Sequence, residues 1–267
     1  MSIKTLAGKK VLVTGYDLEQ GEHRGIAVFS KAFIRCLYEA GAEVWLLTEY
    51  SPKTSNKLRS LPTHTRRLIQ TAILLDSLAE GRQTTEISFL ERKFRWAKKA
   101  KSLQRLICIV YEFFNRPKSY KVRDTISLPL KGLYDNPYLR LRRLSYMQYI
   151  SGLVSAPGIY FASQSAAMLQ GRKPVTIDIE GFDAFLTTCP LNLKVNGVTT
   201  VAQSIHDLIP LEYFAHNENQ LMFSHRLQAC VNTRRIYVSN ATKKKFHERI
   251  LKPSNLNNPT KDRWMKE

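Results

Sequence analysis

The residues most suited to chemistry lie in Thr199 to Pro210, TTVAQSIHDLIP, where an apolar and β-branched run delivers His206 and Asp207 at its end. The carboxyl end of a parallel strand is where open α/β sheets collect their ligands, and Pro210 then ends the local structure. An imidazole beside a carboxylate can donate to, or accept from, a polar substrate; the same pair also fits a surface contact or a satisfied core histidine. Chain physics leaves both readings open. A second group is Thr14-Gly15, followed by His23-Arg24-Gly25-Ile26 at the opening of a helical pattern. Glycine permits close backbone approach, and the free amides of a helix start favour phosphate or carboxylate. The spacing is not G-x-G-x-x-G, so it is no dinucleotide fingerprint, and plain turn chemistry accounts for it equally. Third, Arg235 to Thr242 (RIYVSNAT) runs a strand into Ser239 and Asn240, either of which can cap a helix beginning near Ala241.

The fourth group is basic. Between Phe89 and Phe114, Leu90, Phe94, Ala97, Ile107, Val110, Tyr111 and Phe114 fall roughly along one side. Arg92, Lys93, Arg95, Trp96, Lys98, Lys99, Lys101 and Arg105 surround them. That pattern reads as an amphipathic membrane-surface helix, each Lys or Arg adding on the order of 1 kcal/mol against an anionic leaflet. A solvated helix face packed on a domain gives the same pattern.

The elements that must position these residues follow from periodicity. Lys9 to Gly15 (KKVLVTG) reads as a buried parallel strand, and Gly25 onward as a helix with Ile26, Phe29, Phe33 and Leu37 on one face and Gly41 closing it. Glu43 to Thr48 reads as the next strand, which completes a β-loop-α-β unit. Residues 51–124 are rich in Lys and Arg and helical in spacing, Pro117 to Pro137 reads as an irregular excursion, and Tyr138 to Ser155 as a helix. The helical insertion therefore covers about 51–155. Further strands are expected at Ile159 to Phe161, Val175 to Asp178, Ala184 to Thr187, Thr199 to Ile205 and Arg235 to Val238. Leu251 to Glu267 has linker composition, so the expected body is 1–250. The fold class is α/β: a mostly parallel sheet with helices on both faces and a basic helical insertion.

Composition narrows the function classes. The chain has 267 residues, 43% hydrophobic and 24% charged, enough for a full core. No apolar run is long enough to span a bilayer, and the start, MSIKTL, has no apolar signal segment, which leads us to expect a cytoplasmic protein, peripheral at the membrane face if the basic segment docks. Cys36, Cys108, Cys189 and Cys230 form no C-x-x-C pair, disfavour a zinc site or a disulfide framework, and read as buried reduced thiols. A net charge of +19 calls for a polyanionic partner: nucleic acid, anionic lipid or a phosphorylated small molecule. Nucleic acid is disfavoured because no zinc-finger spacing, RNP-like run or helix-turn-helix occurs.

Four stretches, taken in order, carry a resemblance: VLVTGYDLEQGEHRGIAVFSKAFIRCLYEAGAEVWLLTEY (11–50), FDAFLTTCPLNL (182–193), VAQSIHDLIPLEYF (201–214) and IYVSNATKKKF (236–246). Together they resemble the N-terminal, acceptor-side domain of GT-B fold, family 4 (group 1) retaining glycosyltransferases. The resemblance implies one Rossmann-like half of a two-domain enzyme that moves a sugar from a nucleotide-sugar to a glycan or lipid-linked acceptor with retention, a hexosyltransferase type of reaction. It places Arg24, Gly25 and Ile26 beside the donor diphosphate, although the family often has two glycines where this chain has Arg24-Gly25. It places His206 against the donor sugar, with Asp207 orienting it. No metal and no cofactor are expected, since such enzymes hold the diphosphate with protein groups. The family's remaining nucleotide contacts lie in a C-terminal domain, which on this resemblance would begin where the sequence stops. The expectation is that catalysis needs a separate donor-binding chain. The alternative is a non-catalytic module, derived from such an enzyme, that binds an acceptor, a membrane or a partner.

Overall fold

The computed structural model describes residues 5–19, 25–50, 60–80, 119–127, 144–169, 174–212 and 220–252, with isolated positions between 107 and 114. Strand β1 (Lys10–Thr14) has Val11, Leu12, Val13 and Thr14 all buried, because both faces of the sheet are covered. It pairs in parallel with β2 (Glu43–Thr48) on one side and with β7 (Ala184–Thr187) on the other. Beyond β2 lie β5 (Gly152–Ser155), parallel, and β4 (Arg123–Ser127), antiparallel at the edge. Beyond β7 come β9 (Thr200–Ile205) and β10 (Arg234–Tyr237), both parallel. The seven-stranded order is β10-β9-β7-β1-β2-β5-β4. A second sheet of three parallel strands joins β3 (Tyr120–Lys121), β6 (Val175–Asp178) and β8 (Leu193–Asn196).

Alternation along the strands sorts the core into two faces. Val11 and Val13 of β1, with Val44 and Leu46 of β2, pack with Ile34 and Leu37 of helix α1 (Gly25–Glu39) and Leu74, Leu75 and Leu78 of α2 (Thr63–Glu80). On the other face Leu12, Trp45, Leu47 and Phe185 pack with Ile159, Tyr160 and Ala162 of α3 (Ile159–Leu169) and with the small sheet. Helices thus cover both faces of a mostly parallel sheet, as expected. A third cluster joins Ile205 and Leu208 to Phe223 and Leu227 of α5 (Gln220–Ala229) and Phe246 of α6 (Asn240–Phe246). A short helix, α4 (Ile209–Glu212), links β9 to that layer.

Three expectations are corrected. Ile159 to Phe161 begins helix α3 instead of forming a strand. Pro157 and Gly158, the latter at φ 73°, turn the chain, and the small residues Ala162, Ser163, Ala166 and Ala167 then repeat at helical spacing and let the helix lie close on the sheet. Tyr138 to Ser155 is no continuous helix: Ser145–Tyr149 is a 3-10 turn and Gly152–Ser155 is β5, while 138–143 lie outside the described residues. A Cβ on Gly152 would stand 2.4 Å from the Trp45 ring, so glycine there lets β5 pair with β2 beneath the indole. The stretch read as an irregular excursion, Pro117 to Pro137, carries two strands, Tyr120–Lys121 and Arg123–Ser127.

Ser239 caps α6: its hydroxyl accepts from the Thr242 N–H at 3.0 Å, while Asn240 is the first helical residue. Ser239→Ala is expected to destabilise the fold by about 1 kcal/mol in urea unfolding; an unchanged midpoint would show that the cap contributes nothing. After Phe246 the helix widens into a π-turn, His247–Leu251, whose Ile250 and Leu251 are buried; the remainder of the linker-like tail, 253–267, lies outside the described residues. The reading of all cysteines as buried holds for Cys189 and Cys230 but not for Cys36, which is exposed on α1. Burial pushes the Cys230 thiol up to about 12, so it stays protonated and inert. Among the described residues no helix is long and apolar enough to cross a membrane.

Candidate functional site

The chain leaves β1 towards β2 and β5 on one side, then returns to β7, β9 and β10 on the other. The carboxyl ends of β1 and β7 therefore flank the point where the winding reverses, the usual ligand crevice of an open α/β sheet. Four segments converge there. β1 ends at Thr14 and passes into Gly15 to Glu19; β7 passes into Thr188 and Cys189; β9 passes into His206; and α6 presents Thr242.

Thr188 is the hub. Its N–H donates to the Thr14 hydroxyl oxygen at 3.1 Å, and its own hydroxyl donates to Asp17 Oδ2 at 2.8 Å. Its carbonyl lies 2.6 Å from His206 Nε2. A carbonyl can only accept, so His206 carries its hydrogen on Nε2, and Nδ1 is the ring atom left to meet a ligand. Among the described residues nothing bonds to Nδ1. The Phe29 ring packs edge-on against the imidazole at 4.6 Å, and the Thr242 hydroxyl donates to the His206 carbonyl at 2.8 Å. Backbone and ring of His206 are both fixed before any ligand arrives.

Asp17 is buried beside this histidine. Burial raises its carboxyl above the ordinary range, opposed by the Thr188 hydrogen bond, then by His206 and by Arg226. Arg226 of α5 is itself buried and donates from Nε to the Pro190 carbonyl at 2.8 Å, which anchors the segment following Thr188. The β1 loop is held from the other side by Tyr160, whose hydroxyl accepts from the Gly15 N–H at 2.8 Å and donates to the Leu47 carbonyl at 2.6 Å.

The expected residues fare differently. His206 stands at the strand end as read from sequence. Asp207 does not orient it: the exposed Asp207 carboxylate accepts from the Ile209 N–H at 3.1 Å and starts α4, while Thr188 and Phe29 hold the ring. Gly25 and Ile26 open α1, both exposed, and a Cβ on Gly25 would meet nothing within 4 Å. Phe29, one turn further along the same helix, touches His206, so the start of α1 lies beside the crevice. α1 has no acidic residue in its first turn. Arg24 lies outside the described residues, as do Arg92, Lys93, Arg95, Trp96, Lys98, Lys99 and Lys101. Among the described residues no cluster of His, Cys, Asp or Glu could hold a metal ion. Sequence reasoning missed Asp17, Phe29, Thr188 and Arg226 as site groups; the only local signal was that Tyr16-Asp17-Leu18-Glu19 directly follows a buried strand.

No family profile, curated protein or solved structure matches the chain.

Proposed function

We propose that this chain is the acceptor-side half of a retaining GT-B glycosyltransferase, taking a sugar from a nucleotide-sugar to a glycan or lipid-linked acceptor. The reading is carried by His206. It stands at the carboxyl end of β9, next to the reversal of the sheet, with its Nε2 proton committed to Thr188 and Nδ1 open. A ring held in one orientation suits contact with one hydroxyl or ring oxygen of a bound sugar, where misplacement by 1 Å costs catalysis heavily. The start of α1 supports the same reading, since Gly25 and Ile26 are exposed beside the crevice and open a helix with no acidic residue in its first turn, which suits a diphosphate. The net charge of +19 favours an anionic donor.

In this reading the crevice supplies one wall of the site. His206 and the α1 start face the donor sugar and phosphates, and a donor-binding half, in the same polypeptide or a separate one, supplies the nucleotide contacts. The test is turnover of UDP- and GDP-sugars by residues 1–267 alone and after addition of a donor-binding domain. Turnover is expected only in the second case, and release of nucleotide by the single chain would overturn the proposal.

A further inference from the structure

The loop after β1 folds back as a hook. The N–H groups of Leu18 and Glu19 both donate to the Gly15 carbonyl, at 2.9 and 3.0 Å. The hook carries two acidic side chains to opposite sides of β1. Asp17 goes towards β7 and Thr188, as described. Glu19, 3% exposed, goes towards β2, where its Oε1 accepts from the Glu49 N–H at 3.2 Å. Glu49, 5% exposed, turns its own Oε2 to the Phe161 N–H in the first turn of α3, at 3.4 Å. The packing is close: a Cβ on Gly15 would lie 3.3 Å from Glu19 Oε1 and 2.9 Å from the Leu47 carbonyl oxygen. Among the described residues Glu19 Oε2 is buried with no hydrogen-bond partner.

Two neighbouring carboxyls away from water cannot both ionise cheaply. Among the described residues, the titratable groups that face Glu19 are Glu49 from the end of β2, Tyr50 beside it, whose hydroxyl donates to the Glu19 carbonyl at 3.4 Å, and Tyr160 from α3. Cys189, from the end of β7, faces Tyr160 in turn. Among the described residues no Lys, Arg or His forms an ion pair with Glu19.

We propose that Glu19 and Glu49 share one proton in the folded protein, and that this proton latches the hook that holds Asp17 on Thr188 beside His206. The latch is a pH-sensitive device built into the floor of the crevice, and it stands whether or not the crevice binds a nucleotide-sugar. Burial, and after it the Glu49 carboxylate, hold the Glu19 carboxyl well above the usual range. The folded state therefore binds more protons than the unfolded chain. Its stabilisation is complete below the ordinary glutamate range and is lost as pH rises through the folded value.

The direct test follows the side-chain carboxyl carbons of Glu19 and Glu49 by NMR in the unmodified 267-residue chain between pH 4 and 9. At least one is expected to titrate well above the ordinary glutamate range, with amide exchange of residues 15–19, corrected for its intrinsic pH dependence, accelerating over the same interval. Both carboxyls titrating near the ordinary value of about 4.3 would overturn the proposal. Thermal unfolding of Glu19→Gln and Glu49→Gln gives a second arm, because glutamine mimics the protonated acid. The melting temperature of the unmodified chain is expected to fall relative to Glu19→Gln as pH rises, by roughly 2–4 °C at pH 8. Glu49→Gln should flatten the same slope; parallel curves for all three chains overturn the latch.

Discussion

Gly197→Ala is expected to destabilise the fold by roughly 3 kcal/mol or more. Gly197 follows β8 with φ at +85°, where an L side chain is strained, and its Cβ would stand 1.9 Å from the Ile179 carbonyl oxygen. That oxygen belongs to a backbone with no room to retreat. The Ile179 N–H is bonded to the Asn196 carbonyl at 3.0 Å and its side chain is fully buried, so relief on one side breaks the β6–β8 pairing on the other. Gly181 is the control. It has a similar φ of +77°, yet a Cβ there would meet nothing within 4 Å, so Gly181→Ala should cost only the backbone term of about 1–2 kcal/mol. Chemical denaturation of the two variants decides the matter, and equal losses would show that the clash at Ile179 is absorbed.

For the proposed transferase, supplied with a donor-binding half, His206→Ala is expected to lower kcat by about 100-fold or more, the loss typical of one oriented polar group at a reacting centre. The fold should survive it, because the imidazole is only half-buried and, among the described residues, its contacts are one hydrogen bond and the Phe29 ring. Asp207→Ala separates the two members of the pair. Its carboxylate holds the Ile209 N–H, so its loss should stay within about tenfold in rate, the scale of one missing helix cap. Nearly equal losses at both positions would mean that the pair works as a unit, and the role given to Thr188 would fail.

These two residues also mark what sequence reading reaches. Strands β1 and β9 were legible from the apolar, β-branched runs Val11 to Thr14 and Thr200 to Ile205, and α1 from its spacing, whereas β5, buried along its whole length, was taken into a helix. Ile159 to Phe161 misled because three large apolar residues look like a strand when the small residues after them, which make the helix fit the sheet, are given no weight. β8 was missed because Lys194 and Asn196 interrupt its apolar pattern. His206 was legible from its place at a strand end. Thr188 was not, since its decisive contribution is a backbone carbonyl that any residue type would provide. Asp17 and Glu19 were not, since acids in a loop ordinarily face water, and only the hook about Gly15 turns them inward.

The bonds that close the crevice join residues far apart in the chain: Thr188 to Asp17 spans 171 positions and Thr188 to Thr14 spans 174. Contacts of such separation form late, because the loop-closure entropy must be overcome first. On the ribosome, β1 emerges long before β7, and at about 5–20 residues per second the wait is roughly 10–35 s. Throughout that interval one side of β1 has no strand to pair with, so the nascent chain carries an open strand edge until its downstream partner is synthesised.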